Sequence, residues 1–260
     1  EQRWQRLSFL EWICQKREGI YVAPFTALIS RVLPPDQWRR LLILLQQGER
    51  VEREQLLEKL IERGYVRVPL IEGRGQCSAR GEIIDIFPPG WEMPLRVELF
   101  DETIESIRLF NPDTQRSTER LEQAVILPAY ELVLPNALYE QGRQRIYHEL
   151  ELALSRLHRK GEESTAAKLK TSTGQHLNRL SEPGGLDLLS SHFSFFYDEG
   201  ASLFDYLPPE SLILVEEPTA IFEKAADLHR ELLRHYGNIF AWGEMLPGRF
   251  YPYWQIEELF

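Results

Sequence analysis

No stretch of this 260-residue chain approaches the roughly 20 consecutive apolar residues that a membrane-crossing helix needs, so a spanning segment is not expected. Basic charge is scarce: 30 Lys and Arg stand against 40 Asp and Glu, a formal charge of −10 at pH 7. Duplex affinity rests mainly on Lys and Arg neutralising phosphates, so this balance argues against nucleic acid as the primary partner. A local basic cluster (Arg143, Arg145, Arg156, Arg159, Lys160) is interleaved with Glu140, Glu149, Glu151 and Glu162 and reads as a solvated helix face. Cysteine is limited to Cys14 and Cys77, which predicts reduced thiols of a cytoplasmic protein rather than a disulfide framework. The six histidines show no metal-ligand spacing with them, so neither a metal nor a cofactor is expected.

Nucleotide and nucleophile fingerprints are missing as well. The chain has no Gly-Lys-Ser or Gly-Lys-Thr, no Gly-x-Ser-x-Gly and no Gly-x-Gly-x-x-Gly. Gly73-Arg74-Gly75 lies between β runs, where a hairpin turn is the natural reading. The opening Glu1-Gln2-Arg3-Trp4 has neither an initiator Met nor the apolar region and cleavage site of a signal peptide. It starts inside a helical pattern, which predicts a piece cut from a longer protein.

What is present is a clear change of period along the chain. Trp4, Leu7, Leu10, Ile13 and Cys14 recur at helical spacing over 1–18. A short buried strand is predicted at 20–24, and a helix from Phe25 until Pro34-Pro35 breaks it. Strand then helix suggests part of a parallel α/β sheet. After a strand at 41–46 and a helix with Leu56, Leu57, Leu60 and Ile61 on one face, the period becomes two. Strands are predicted at 65–72, 76–87, 95–100, 104–110 and 120–127. Helices return at 137–160, 164–181 and 219–236, with a second buried strand at 211–216. The aromatic run Phe193–Tyr197 reads as core, and Trp254, Ile256 and Phe260 as docking residues of a loop-like end.

In 95–100, Leu95, Val97 and Leu99 alternate with Arg96, Glu98 and Phe100, so the first set faces a core and the second set solvent. An aromatic among exposed charges has the composition of a partner-binding patch. An edge strand whose last residue turns back into the core is the competing reading.

The residues Arg80-Gly81, Asp85-Ile86-Phe87-Pro88, Arg96-Val97-Glu98, Phe100, Ile104–Arg108 and Asn111–Ser117 form a long and specific string. Over 64–128 the chain resembles the interaction domain shared by two kinds of bacterial nucleotide-excision-repair protein, UvrB and the transcription-repair coupling factors. The resemblance implies docking onto UvrA, with Arg80, Arg96 and Phe100 at matching interface positions and Glu98 a weaker candidate. It also implies a fold: a degenerate helicase-like parallel-sheet domain interrupted by an inserted α+β domain. The division expected is 1–43, 44–128 and 129–260.

ATP-binding members of this family carry Asp-Glu-Ser-His after an apolar strand. Here the corresponding place reads Val215-Glu216-Glu217-Pro218-Thr219. Glu216 moves the first carboxylate out by about one methylene, and metal–phosphate geometry tolerates little displacement. Glu216 and Glu217 are therefore expected to bind no nucleotide, and the segment to be a non-catalytic, UvrA-recruiting region. The alternative is a UvrB-like, nucleotide-dependent, helicase-fold ATPase or damage-binding fragment. The resemblance further suggests that other domains of a full-length coupling factor mask the docking surface.

Overall fold

The computed structural model describes residues 2–15, 18–182, 185–246, 253–254 and 258–259. In chain order the helices and strands begin with α1 (Gln2–Cys14), α2 (Phe25–Ile29), α3 (Pro35–Leu41), β1 (Ile43–Gln46) and α4 (Arg53–Glu62). Seven strands follow: β2 (Val66–Arg67), β3 (Gln76–Arg80), β4 (Ile83–Phe87), β5 (Leu95–Phe100), β6 (Thr103–Phe110), β7 (Ser117–Leu121) and β8 (Gln123–Ile126). The remainder holds α5 (Asn136–Lys160), α6 (Glu163–Leu180), α7 (Phe193–Phe196) and α8 (Pro218–Ala241). Two compact units emerge, Glu1–Arg17 with Pro35–Pro135 and Glu18–Pro34 with Asn136–Phe260.

In the first unit β2 to β7 form one sheet in sequence order, antiparallel except for the β2–β3 pair. β1 pairs antiparallel with β8, Ile43 opposite Ile126. Period-two alternation decides what is buried. Cys77, Ile84, Ile86, Leu95, Val97, Leu99 and Ile107 leave one face of the sheet and meet Leu56, Leu57 and Leu60 of α4 in a single core. Each fully buried aliphatic side chain there contributes about 1.5–3 kcal/mol relative to exposure. The phenol of Tyr65 is buried in the same core and donates to the Leu127 carbonyl at 2.6 Å, which is how a polar tip is tolerated there. Burial pushes the Cys77 thiol up to about 11, and both cysteines are free.

The second unit is mostly helical. α5 and α6 pack as a helical hairpin, with Ile146, Leu150, Ala153, Ala166, Leu169 and Leu177 buried. Phe193, Phe195, Phe196 and Tyr197 are buried, as their apolar run implied.

The chain is thus mixed α/β, with antiparallel and mixed sheets, and the described strands form no extended parallel sheet. Several expectations need correction. Residues 20–24 and 211–216 were predicted as buried strands, yet both lack a ladder, and Ile20 is 90% and Leu212 85% exposed. A buried strand needs a hydrogen-bonding neighbour and a covering face, and no described residue supplies either to these two. The predicted strand at 65–72 shortens to β2, because Ile71 turns away to join Phe87 and Phe110 in a small separate cluster. The runs 76–87 and 120–127 are each two strands rather than one: β3 and β4 pair antiparallel across a turn at Gly81 (φ 56°), and β7 ends at Leu121 before β8 starts at Gln123. Ile256 and Phe260 lie outside the described residues.

Candidate docking surface

The face of the sheet opposite the α4 core carries the charged set. Residues directly opposite one another share a face, and the register gives two rows across it. One runs Ser78, Asp85, Arg96, Arg108, Arg120; the other runs Arg80, Ile83, Glu98, Ser106. Phe100, two residues beyond Glu98 in β5, continues the same face. Arg80, Arg96, Glu98 and Phe100 are therefore brought together.

Phe100 is 74% exposed while its neighbour Leu99 is buried. The turn after it is built on Asp101 in the left-handed region at φ 59°. A register shift between Glu98 and Leu99 lets Ile104 as well as Ile107 face the core. The hairpin tip is pinned from outside by the 48–51 loop. Gly48 N–H donates to Ile104 O at 2.8 Å, Ile104 N–H to Glu49 O at 2.9 Å and Val51 N–H to Glu102 O at 2.7 Å. Arg50 adds an ion pair to Glu102. An exposed aromatic on a backbone-pinned tip is pre-organised for burial by a partner.

Arg96 is placed differently from the expectation of a guanidinium open to a partner. Nε and Nη2 donate to the two carboxylate oxygens of Asp85, each at 2.8 Å. Nη2 also reaches Gln115 Oε1 at 3.0 Å, and Nη1 reaches the Gln115 carbonyl at 3.2 Å. The guanidinium lies 4.4 Å from the centroid of Phe110. Its pKa is raised, first by the hydrogen bonds to Asp85. The side chains are 16% and 13% exposed, so this is a half-desolvated, bidentate pair. Through Gln115, itself at φ 59°, Arg96 fastens the 111–116 loop to the sheet. That loop is closed locally: Asn111 Oδ1 accepts from the Asp113 and Thr114 amides, both at 2.9 Å.

Arg80 is exposed, with one hydrogen bond from Nη2 to the Pro69 carbonyl at 2.5 Å. Glu98 accepts from Ser106 Oγ at 2.6 Å and lies 3.6 Å from Arg108 Nη2. Gln115 and Arg108 belong to the string that carries the resemblance but were not among the interface candidates. Both couple to the face through partners remote in the chain, which periodicity does not report.

The acidic pair lies in the other unit. Glu216 and Glu217 are exposed, and Glu217 sits at φ 51° as the residue preceding α8, with Pro218 first in the helix. Among the described residues no group of three His, Cys, Asp or Glu is placed to hold a metal ion, and no helix is long and apolar enough to cross a membrane.

Comparison with known proteins places these features. Residues 43–132 match the family model described as the UvrB interaction domain. The transcription-repair-coupling factor of Bacillus subtilis (strain 168) is 35% identical over 247 residues, 95% of this chain and 21% of that protein. A transcription-repair-coupling factor of Staphylococcus aureus (strain MRSA252) is 30% identical over 98% of this chain and 22% of its own length. The UvrABC system protein B of Legionella pneumophila (strain Lens) is 29% identical over 89% of this chain and 37% of its own. The chain therefore spans only a minor part of the relatives it matches.

Proposed function

With residues 43–132 belonging to the UvrB interaction domain family, we propose that this chain is a non-catalytic docking region that recruits UvrA in nucleotide excision repair. The observation that carries the reading is Phe100, three-quarters exposed on a pinned hairpin tip at the end of a charged sheet face. Its burial against UvrA supplies the apolar anchor. Arg80, exposed and without an ion-pair partner among the described residues, supplies a charge for a carboxylate. Arg96 acts one step back, holding the 111–116 loop and the Asp85 carboxylate in place.

The docking needs no nucleotide. Supporting this, the 216–217 carboxylates are solvated and end at a proline-started helix instead of a phosphate-binding turn. The second unit is in this reading the degenerate helicase-like part.

The test is titration of the chain into UvrA by calorimetry, with and without ATP, at two salt concentrations. Saturable binding indifferent to ATP is expected. A folded chain that does not bind, or binds only with ATP, contradicts the proposal.

A further inference from the structure

Three arginines stand directly opposite one another across adjacent strands: Arg96 on β5, Arg108 on β6 and Arg120 on β7. Like charges in register destabilise a sheet, so folding alone does not favour the row. Only Arg96 is fully answered, by Asp85 and Gln115. Arg108 reaches Glu98 at 3.6 Å, too long for a good hydrogen bond, and its Nε is buried with no acceptor. Arg120 is exposed, and among the described residues its Nη2 meets only the Glu105 backbone carbonyl, at 3.3 Å. Counting Arg80, the two rows hold four arginines against Asp85 and Glu98. The face is positive on a chain whose formal charge is −10.

We propose that Arg108 and Arg120 extend the docking surface away from the Phe100 tip to the β7 edge, and that this strip receives a row of carboxylates on the docked protein. The inference rests on the docking reading above and adds two specificity residues to it. An acidic protein surface fits better than a phosphate backbone for two reasons. The strip is interrupted by carboxylates and ends on an exposed aromatic, whereas a phosphate track favours unbroken positive charge. Its cations are all arginines, whose planar fork matches a carboxylate bidentately. The Arg108 side chain is 40% exposed, so the outer part of its guanidinium is within reach of such a carboxylate.

The experiment compares Arg120→Glu, Arg108→Gln, Phe100→Ala and Lys160→Glu in the full chain, titrated into UvrA at low and moderate salt. Lys160 is exposed at the end of α5, in the other unit, and its reversal changes net charge as Arg120→Glu does. The expected result is a loss of about tenfold or more for Arg120→Glu, mostly in association rate, with a flatter salt dependence. Arg108→Gln follows in the same direction and Lys160→Glu leaves affinity unchanged. If Phe100→Ala weakens binding but Arg120→Glu and Arg108→Gln do not, the strip is wrong and the docking reading stands. Equal losses for Lys160→Glu and Arg120→Glu would reduce the effect to net charge and overturn the strip. Binding of a short DNA duplex by the chain, lost in Arg120→Glu while UvrA affinity is kept, would assign the row to nucleic acid instead. If none of the four changes matters, both readings fall.

Discussion

Replacing Arg96 by alanine should cost stability before it costs binding. The change removes both bonds to Asp85 and both to Gln115, and leaves a carboxylate that is 13% exposed without its counter-charge. Breaking a fully buried pair from one side costs about 3–5 kcal/mol. Partial solvent access to this pair lowers the expectation to about 2–3 kcal/mol. The damage is local as well as global, because the 111–116 loop loses its tie to β5. Amide exchange is the direct assay. The Gln115 amide, bonded to Asn111 O at 2.8 Å, and the Asn111 amide, bonded to Arg116 O at 3.0 Å, should lose roughly thirtyfold or more of their protection. A parallel urea titration should show a lowered midpoint. Arg96→Lys separates the two contributions: a lysine keeps the counter-charge for Asp85 but not the fork that reaches Gln115, so it should retain more of the stability than alanine while losing the loop protection. If Arg96→Ala leaves loop protection and urea midpoint unchanged while abolishing UvrA binding, the positioning role is refuted and Arg96 contacts the partner directly.

Other consequences are checked more simply. Gly142 lies within α5, where alanine would ordinarily help by about 1 kcal/mol. Here a Cβ would sit inside van der Waals contact of the Phe196 ring, so Gly142→Ala should instead destabilise by about 1–3 kcal/mol in urea unfolding. Burial lowers His192 to about 4, below its ordinary value of 6.5, and burial also lowers His176, whose ring centroid is 5.3 Å away. Between about pH 6.5 and 4 the unfolded chain takes up a proton at His192 that the folded chain refuses. Stability should therefore fall with pH across that window, by about 3 kcal/mol in all, and level off below it. Unfolding of His192→Asn, followed from pH 7 to 4.5, should show a shallower slope; an unchanged slope removes His192 as its source.

Much of the docking face was legible because β5 is short, half-buried and strictly alternating. Leu95, Val97 and Leu99 proved buried and Phe100 exposed, which settles the competing edge-strand reading against a return to the core. The state of Arg96 was not legible: its partners are Asp85, eleven residues back, and Gln115, nineteen ahead. Phase along a strand says which side a residue faces, not whether something already occupies it. The apolar runs at 20–24 and 211–216 misled for a related reason. An unbroken apolar run signals burial only if neighbours arrive to bury it, and none does among the described residues. Glu217 was singled out for its carboxylate, but its left-handed backbone was not legible, because a positive φ before a proline has no periodic signature.

Phe100→Ala tests the central claim most directly. Covering a three-quarters exposed phenylalanine removes about 150 Å² of apolar surface from water, up to about 4 kcal/mol at 25 cal/mol per Å² before association costs. An anchor of this kind is worth about 2 kcal/mol or more of binding, roughly thirtyfold. The measurement is calorimetric titration of UvrA with the native chain and with Phe100→Ala, beside urea unfolding of both. The account predicts equal unfolding and at least a roughly thirtyfold weaker complex. Equal affinity from two equally stable chains would contradict it.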